Sequence, residues 1–316
     1  MRRRTRTRTR TRAAGAAVAI AVAALVSGCT IEPSGADGDT PGPGRGGVLA
    51  VKIDNVGPAR PQTGIDAADV VYVEQVEAGL SRLMAVFASR LPAAVGPVRS
   101  ARETDLELLR QFDDRPTLAF SGAQSKLLPL IAGAPVRALP PGKAPGDAYY
   151  RGSGRVAPHN LFVRPDALKA TPRAGALEST GFRFGPRPDG GTPQTRRTVR
   201  FPAARFTFDW VEYEGRWRVA MDGRAARTSD GKALGPSTVV VQYVKVRPSR
   251  FHDRAGSVSP FTETVGEGDV SVLRDGRAYK GRWRRPSAES GTDFTTADGK
   301  PLPFAKGQVW VVYAKG

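Results

Sequence analysis

The run Val70-Val71-Tyr72-Val73-Glu74-Gln75-Val76-Glu77-Ala78-Gly79-Leu80-Ser81-Arg82-Leu83-Met84-Ala85-Val86-Phe87-Ala88 decides the fold. Two β-rich runs, Val70 to Val76 and Leu80 to Ala88, flank Glu77-Ala78-Gly79 and read as a hairpin. On a strand, side chains alternate, so Val70, Tyr72, Glu74 and Val76 share one face. Glu74 then falls among apolar neighbours, where a carboxylate needs a partner. Arg82 on the return strand is the candidate. The residues leave two readings open: a structural Glu–Arg pair, or a functional carboxylate, either a general acid or base with a raised pKa or a metal ligand.

Working outward, Val48 to Ile53 and Thr117 to Phe120 are short apolar runs expected to be strands. Glu103 to Phe112 places Leu106, Leu109 and Phe112 on a helical stripe, and Ala123 to Ala132 reads as a second helix after Ser121-Gly122. Residues 48–171 are therefore expected to form a mixed α/β domain with helices on a central sheet. Residues 172–198, rich in Gly, Pro, Arg and Thr, read as a linker. Residues 199–316 read as mostly β. Phe206, Phe208 and Trp210 alternate, as do Trp217, Val219 and Met221; Thr238 to Val246 is a long β-branched run. Asp275-Gly276 and Asp298-Gly299 are hairpin turn signals, and Gln308 to Tyr313 makes a final strand. The expected fold class is α+β: an N-terminal mixed α/β sheet domain followed by a mostly β C-terminal domain.

The N-terminus reads as an address. Seven Arg and no acid occupy residues 2–12, and an Ala/Val-rich stretch, Ala13 to Val26, follows. It is too short to span a bilayer comfortably. With the small residues Ser27 and Gly28 behind it, this is the pattern of a signal peptide. Leu25-Val26-Ser27-Gly28-Cys29 resembles a lipobox, and Cys29 is the only cysteine of the 316 residues. Residues 1–29 are thus expected to be a lipoprotein signal peptide, with Cys29 carrying the lipid once the bond before it is cut. Residues 30–47, almost free of apolar side chains, are expected to be a flexible tether. The chain is then held at the extracytoplasmic face of the cell membrane by its N-terminal lipid.

The formal charge of +18 would suit a nucleic-acid binder. The seven leader arginines account for part of it, and taking them from +18 leaves +11 for the mature chain. An exported chain meets anionic lipid headgroups or wall polymers rather than nucleic acid. An Arg-biased solvated surface explains the same number equally well.

The candidate chemistry concentrates in Gly96 to Asp105. Ser100-Ala101-Arg102-Glu103 fits a capping box that would start a helix at Ala101. Free N–H groups there, flanked by Arg99 and Arg102, would suit an anion. The competing reading is a capped helix whose Arg102 pairs with Asp105 and whose Arg99 pairs with a nearby acid. Arg82, Arg99, Ser100, Arg102 and Asn160 are the candidate anion-binding residues. Asp54, Glu74 and His159 are the candidates for acid–base work. His159 sits in the loop Pro158-His159-Asn160, while His252, the second of two histidines, reads as a surface residue beside Asp253. No metal site is expected, and no P-loop or dinucleotide fingerprint points to a cofactor.

Several strings resemble the YerB-like family of exported bacterial lipoproteins. They are Ile53-Asp54-Asn55, Ala59-Arg60-Pro61-Gln62-Thr63-Gly64, Ala68-Asp69-Val70-Val71-Tyr72 with Glu74, Glu77-Ala78-Gly79, Ser81-Arg82, Gly96-Pro97-Val98-Arg99-Ser100-Ala101-Arg102 and Ala157-Pro158-His159-Asn160-Leu161. Gly281, Trp283, Phe294, Asp298-Gly299-Lys300, Gly307 and Trp310 extend the likeness into the second block. The resemblance implies a two-part lipoprotein and supplies no reaction. The expected function is a membrane-anchored lipoprotein binding an anionic envelope polymer or a partner protein. The alternative is an enzyme acting on envelope glycan or a phosphorylated lipid-linked precursor through an Arg/Asp/His pocket.

Overall fold

The structure is a computed structural model that describes residues 47–112, 115–253 and 256–316. Cys29, the leader and the tether up to residue 46 lie outside the described residues.

The hairpin forms as its pattern predicts. Strand β1 is Leu49–Asp54, β2 is Val70–Gln75 and β3 is Ser81–Phe87. β2 and β3 pair antiparallel around a tight turn at Glu77–Gly79. Gly79 holds a φ of +69°, and a Cβ there would lie 2.5 Å from Pro202 Cβ, so the position takes glycine on two counts. β1 pairs with the other edge of β3. Helix α1 is Glu103–Leu109, β4 is Thr117–Ala119, α2 is Leu128–Gly133 and β5 is Arg137–Leu139. β4 and β5 extend the sheet beyond β1 in parallel.

On the other side of β2 lies the last strand of the chain, Val309–Lys315. It pairs parallel with β2 at one edge and with Thr238–Val244 at the other. Gly266–Arg274, Arg277–Arg285 and Asp293–Thr296 continue the sheet outward. The blocks on either side of residues 172–198 thus contribute strands to one sheet of eleven. The 172–198 stretch itself holds a 3-10 turn, Ala174–Thr180, and a short strand, Thr192–Pro193, paired to Arg277–Ala278.

Both faces of the sheet are covered, which is why β2 and Thr238–Val244 read as unbroken apolar runs. One face carries Val71, Val73, Leu83, Val239, Trp310 and Val312 and is roofed by a four-stranded antiparallel sheet, Arg196–Phe201, Ala204–Val211, Arg216–Met221 and Arg224–Ala225. The alternation read from sequence holds there: Phe206, Phe208, Trp217, Val219 and Met221 point inward. The opposite face carries Ala50, Val70, Tyr72, Met84 and Val311 and packs on Leu108 and Leu109 of α1 and Ile131 of α2.

The expectation of a mixed α/β first block needs correction in its helical part. The molecule is mostly β, and α1 and α2 are only seven and six residues long. The second helix starts at Leu128, after a 3-10 turn at Ser125–Leu127, not at Ala123. The reason is local: Ser121 N–H donates to the Arg99 carbonyl, and the Gly122 carbonyl accepts from Ala101 N–H. The stretch before α2 is spent on pairing with the Arg99 loop and cannot wind into a helix.

Trp310 sits fully buried, 6.4 Å from Phe206 and 6.1 Å from Phe208 in tilted and edge-on contacts between the two sheets. Its indole N–H donates to Gln308 Oε1, whose amide nitrogen donates to the Ile65 and Ala68 carbonyls. Trp310→Ala is expected to cost about 3–5 kcal/mol, since a cavity opens where both blocks meet. Guanidinium denaturation should show a lower midpoint with an unchanged slope. A loss below about 1 kcal/mol would mean that this packing is not what joins the blocks.

Candidate functional site

The cleft lies where β3 and the Arg99 loop meet the segments 121–125 and 149–151 and residues 251–253 and 259. Its volume is about 1190 Å³. Arg82, Arg99, Arg102 and Arg151 line it, with the hydroxyls of Ser100, Ser121 and Ser259 and the ring of Tyr150. Gly122 adopts a φ of +151° at its wall, and a Cβ there would meet nothing within 4 Å, so the open space begins at that backbone.

The charges beneath the cleft are distributed by register. Asp54, Arg82 and Glu74 stand in one row across β1, β3 and β2. Arg82 has an acid on either side, yet pairs with neither. Asp54 Oδ2 lies 2.8 Å from His159 Nδ1 and 2.9 Å from Arg99 Nε, the latter without hydrogen-bond alignment. Glu74 turns to Lys52, whose ammonium also reaches Asp105 at 2.6 Å. Burial pushes the Glu74 carboxyl up to about 7, with Lys52 opposing the rise and Asp105 adding to it. Glu77 accepts two hydrogen bonds from Arg102, each 2.6 Å, and one from the Ser259 hydroxyl. Burial alone would raise the Glu77 carboxyl, but the Arg102 contacts and the Ser259 hydroxyl hold it down at about 2.

Arg82 is left with the Ser100 carbonyl, at 3.1 Å, as its hydrogen-bond acceptor. No carboxylate lies within ion-pair distance of it among the described residues. Its burial and the adjacent Arg102 charge pull the guanidinium down to about 10, although Glu77 acts in the opposite direction. The protein thus holds a 91 % buried cation that its environment disfavours, facing an open cleft.

The strings that carry the resemblance converge here. Asp54, Arg99 and His159 come from three of them and meet around one carboxylate oxygen, while Glu77 comes from a fourth and pairs with Arg102, which shares a string with Arg99. Family comparison bears out the resemblance itself. The profile for the N-terminal domain of DUF3048, a protein of unknown function, matches residues 37–179, and the profile for its C-terminal domain matches residues 197–311. The chain belongs to the DUF3048 family. It is 26 % identical over 281 residues to "Putative lipoprotein YerB" of Bacillus subtilis (strain 168), an alignment covering 83 % of this chain and 80 % of the relative. The crystal structure of the Bacillus subtilis YerB protein superposes with a TM-score of 0.70 at 21 % identity, over 85 % of this chain and 91 % of that one. The sheet architecture is therefore that of the family.

Within that architecture, four of the five anion-binding candidates, Arg82, Arg99, Ser100 and Arg102, line the cleft. Asn160 stands behind it, accepting from Arg151 at 2.7 Å and so aiming that guanidinium. Of the acid–base candidates, Asp54 and His159 form the pair just described, and Glu74 is sealed with Lys52 and Asp105 beneath α1. The pairings expected for Glu74 with Arg82, and for Arg102 with Asp105, are not made. Arg102 goes instead to Glu77, because it precedes the helix. The N-cap of α1 is Arg102, and Asp105 Oδ2 accepts its backbone N–H at 2.7 Å. Ser100 is therefore not the cap, and the helix end is already occupied by its own acid, not open to an anion.

Sequence reasoning missed Lys52, Ser121, Arg151, His252 and Ser259. His252 is an exposed residue beside Asp253, as its sequence context suggests, and it also contributes to the cleft wall with Phe251. Lys52 carried a usable signal, a charge within the apolar run Leu49-Ala50-Val51-Lys52-Ile53; the others come from distant loops.

The Glu77–Arg102 clamp yields a pH signature. A carboxylate whose folded pKa is depressed stabilises the fold above its unfolded pKa of about 4.5 and loses that contribution as pH falls toward 2. Glu77→Gln is expected to destabilise by about 3 kcal/mol at pH 7, since it strands Arg102. In urea melts the gap between variant and wild type should narrow steadily from pH 5 to pH 2. A gap independent of pH would assign the loss to shape and not to the ion pair.

Proposed function

We propose that this protein is a lipoprotein anchored at the outer face of the cell membrane through Cys29, and that its cleft binds an anionic ligand of the cell envelope. The observation that carries the reading is Arg82, a buried cation without a carboxylate partner, set between Arg99 and Arg102 in the cleft wall. Leaving a charge buried and unpaired is costly. An anion entering the cleft would relieve that cost and gain charge-assisted hydrogen bonds from guanidinium forks. The serine hydroxyls and Tyr150 suit a ligand that carries hydroxyl groups or a sugar ring beside its charge. Anchoring is supported by the lipobox at the sole cysteine and by the lipoprotein description of the Bacillus subtilis relative. Binding is favoured over catalysis because Asp54, Glu74 and His159 do not line the cleft and are already engaged, Asp54 with His159 and Glu74 with Lys52.

Two experiments test this. Arg82→Met removes the unfavourable charge while keeping the stem. It is expected to raise stability by about 1 kcal/mol and to weaken binding of inorganic pyrophosphate at least tenfold in calorimetric titration of the full chain. A purely structural Arg82 predicts the reverse, lost stability with unchanged titration. For the anchor, Cys29→Ser is expected to abolish metabolic labelling with a radioactive fatty acid and to move the protein out of the membrane fraction. Labelled, membrane-bound Cys29→Ser protein would refute the lipid attachment.

A further inference from the structure

A second cationic feature lies on the far side of the molecule's core from the sheet it roofs, on the solvent face of the four-stranded sheet. The register aligns small side chains in one row across all four strands: Thr198 opposite Thr207, Thr207 opposite Ala220, and Ala220 opposite Ala225. One flanking row is Arg196, Asp209 and Arg218; the other is Arg200 and Arg205, continued by Asp222, whose Oδ1 accepts the Arg205 backbone N–H at 2.7 Å and whose Oδ2 pairs with Arg60. Small residues between large ones make a trough, with a volume of about 410 Å³. At about 4.8 Å per strand and 3.4 Å per residue, it runs roughly 14 Å across the strands between rims roughly 14 Å apart.

The two rims differ electrostatically. Arg196 is paired to Asp209, and Arg218 to Glu214. Arg200 and Arg205, directly opposite each other, have no acid within ion-pair distance among the described residues. Like charges facing each other across a strand pair are destabilising. The Thr198 and Thr207 hydroxyls lie on the exposed floor, hydrogen-bonded to each other at 3.1 Å.

We infer that this trough is a binding site for a linear polyanion, a sugar- or polyol-phosphate polymer, laid perpendicular to the strands. Successive phosphates contact Arg200 and Arg205, and polymer hydroxyls bond to the threonine floor. The shape selects among polyanions. No aromatic side chain lines the trough, so bases have nothing to stack on, which disfavours single-stranded nucleic acid. A concave surface without exposed apolar side chains is also a poor match for a lipid bilayer, where binding draws on an apolar face entering the interface. This site is separate from the cleft and shares no lining residue with it.

The test uses the full chain and purified poly(glycerol phosphate), with affinity measured over a salt series. Arg200→Ser with Arg205→Ser is expected to weaken binding at least tenfold. It should also flatten the dependence of log K on log salt by about 1.4, the release of counterions from two contacts. Arg216→Ser with Arg224→Ser, an equal charge loss outside the trough, should stay within twofold of wild type. Circular dichroism of the exposed double variants checks that both remain folded. Unchanged affinity in the Arg200/Arg205 variant overturns the inference. Equal loss in the Arg216/Arg224 variant does so too, by reducing the effect to net charge. Equally tight, Arg200/Arg205-dependent binding of oligothymidylate or of phosphatidylglycerol vesicles would overturn the choice of occupant.

Discussion

The insertion of Val309–Lys315 between β2 and Thr238–Val244 is the constraint on which the rest depends. Parallel pairing cannot be closed by a tight turn, so both partners must be brought together by long connections. Here the connection to β2 spans most of the chain. Without that strand, β1, β2 and β3 would have an open edge and one bare face. Residues 251–253 and Ser259 would also have no fixed place beside the Arg99 loop. The Glu77–Ser259 and Glu103–Ser249 hydrogen bonds exist because the last strand registers one half of the sheet against the other.

The same register explains why cations outnumber their usable partners at the cleft. Asp54, Arg82 and Glu74 occupy a single row, and in isolation each acid would serve Arg82. The neighbouring elements claim both: the His159 loop and Arg99 take Asp54, while Lys52 takes Glu74 together with Asp105. Burial makes each of these competing pairs exclusive, because a carboxylate out of water is held by whichever cation is closest and best aligned. Arg82 is the remainder of that allocation. Its exposure to the cleft follows from the position of β3, between β1 and β2, at the end where the strands give way to loops.

Much of the architecture was legible in the sequence, and the limits are physical. The hairpin, its turn and the alternation of Phe206, Phe208, Trp217, Val219 and Met221 are local patterns, set by strand periodicity and by glycine in the turn. The joint sheet was not legible, because a buried apolar strand such as Val309-Trp310-Val311-Val312 carries no mark of which neighbour it will choose. The helix start failed for a related reason. Ser100 and Arg102 are both tenable caps locally, and the choice fell to Asp105, whose place is fixed by Lys52 on a strand fifty residues away in sequence. Arg82, Arg99 and Arg102 were found because they cluster in recognisable strings; Arg151 and His252 were not, since no local rule marks a loop residue that meets a cleft from the far side.

A basic composition is by itself weak grounds for an anionic partner, and this protein shows why. Many of its arginines act as internal scaffolding. Arg285, fully buried, donates to the carbonyls of Glu107, Ala288 and Ser290 and to the Thr264 hydroxyl. Arg274 ties the Gly185 and Pro303 carbonyls together in the same way. A guanidinium with five donors can satisfy several loop carbonyls at once, which suits a mostly β protein with long connections. What separates Arg82, Arg200 and Arg205 from these is not charge but the acceptors around them. Arg82 keeps one carbonyl, and the other two face each other across a strand pair. Positive charge marks a site only where the fold leaves its donors unspent.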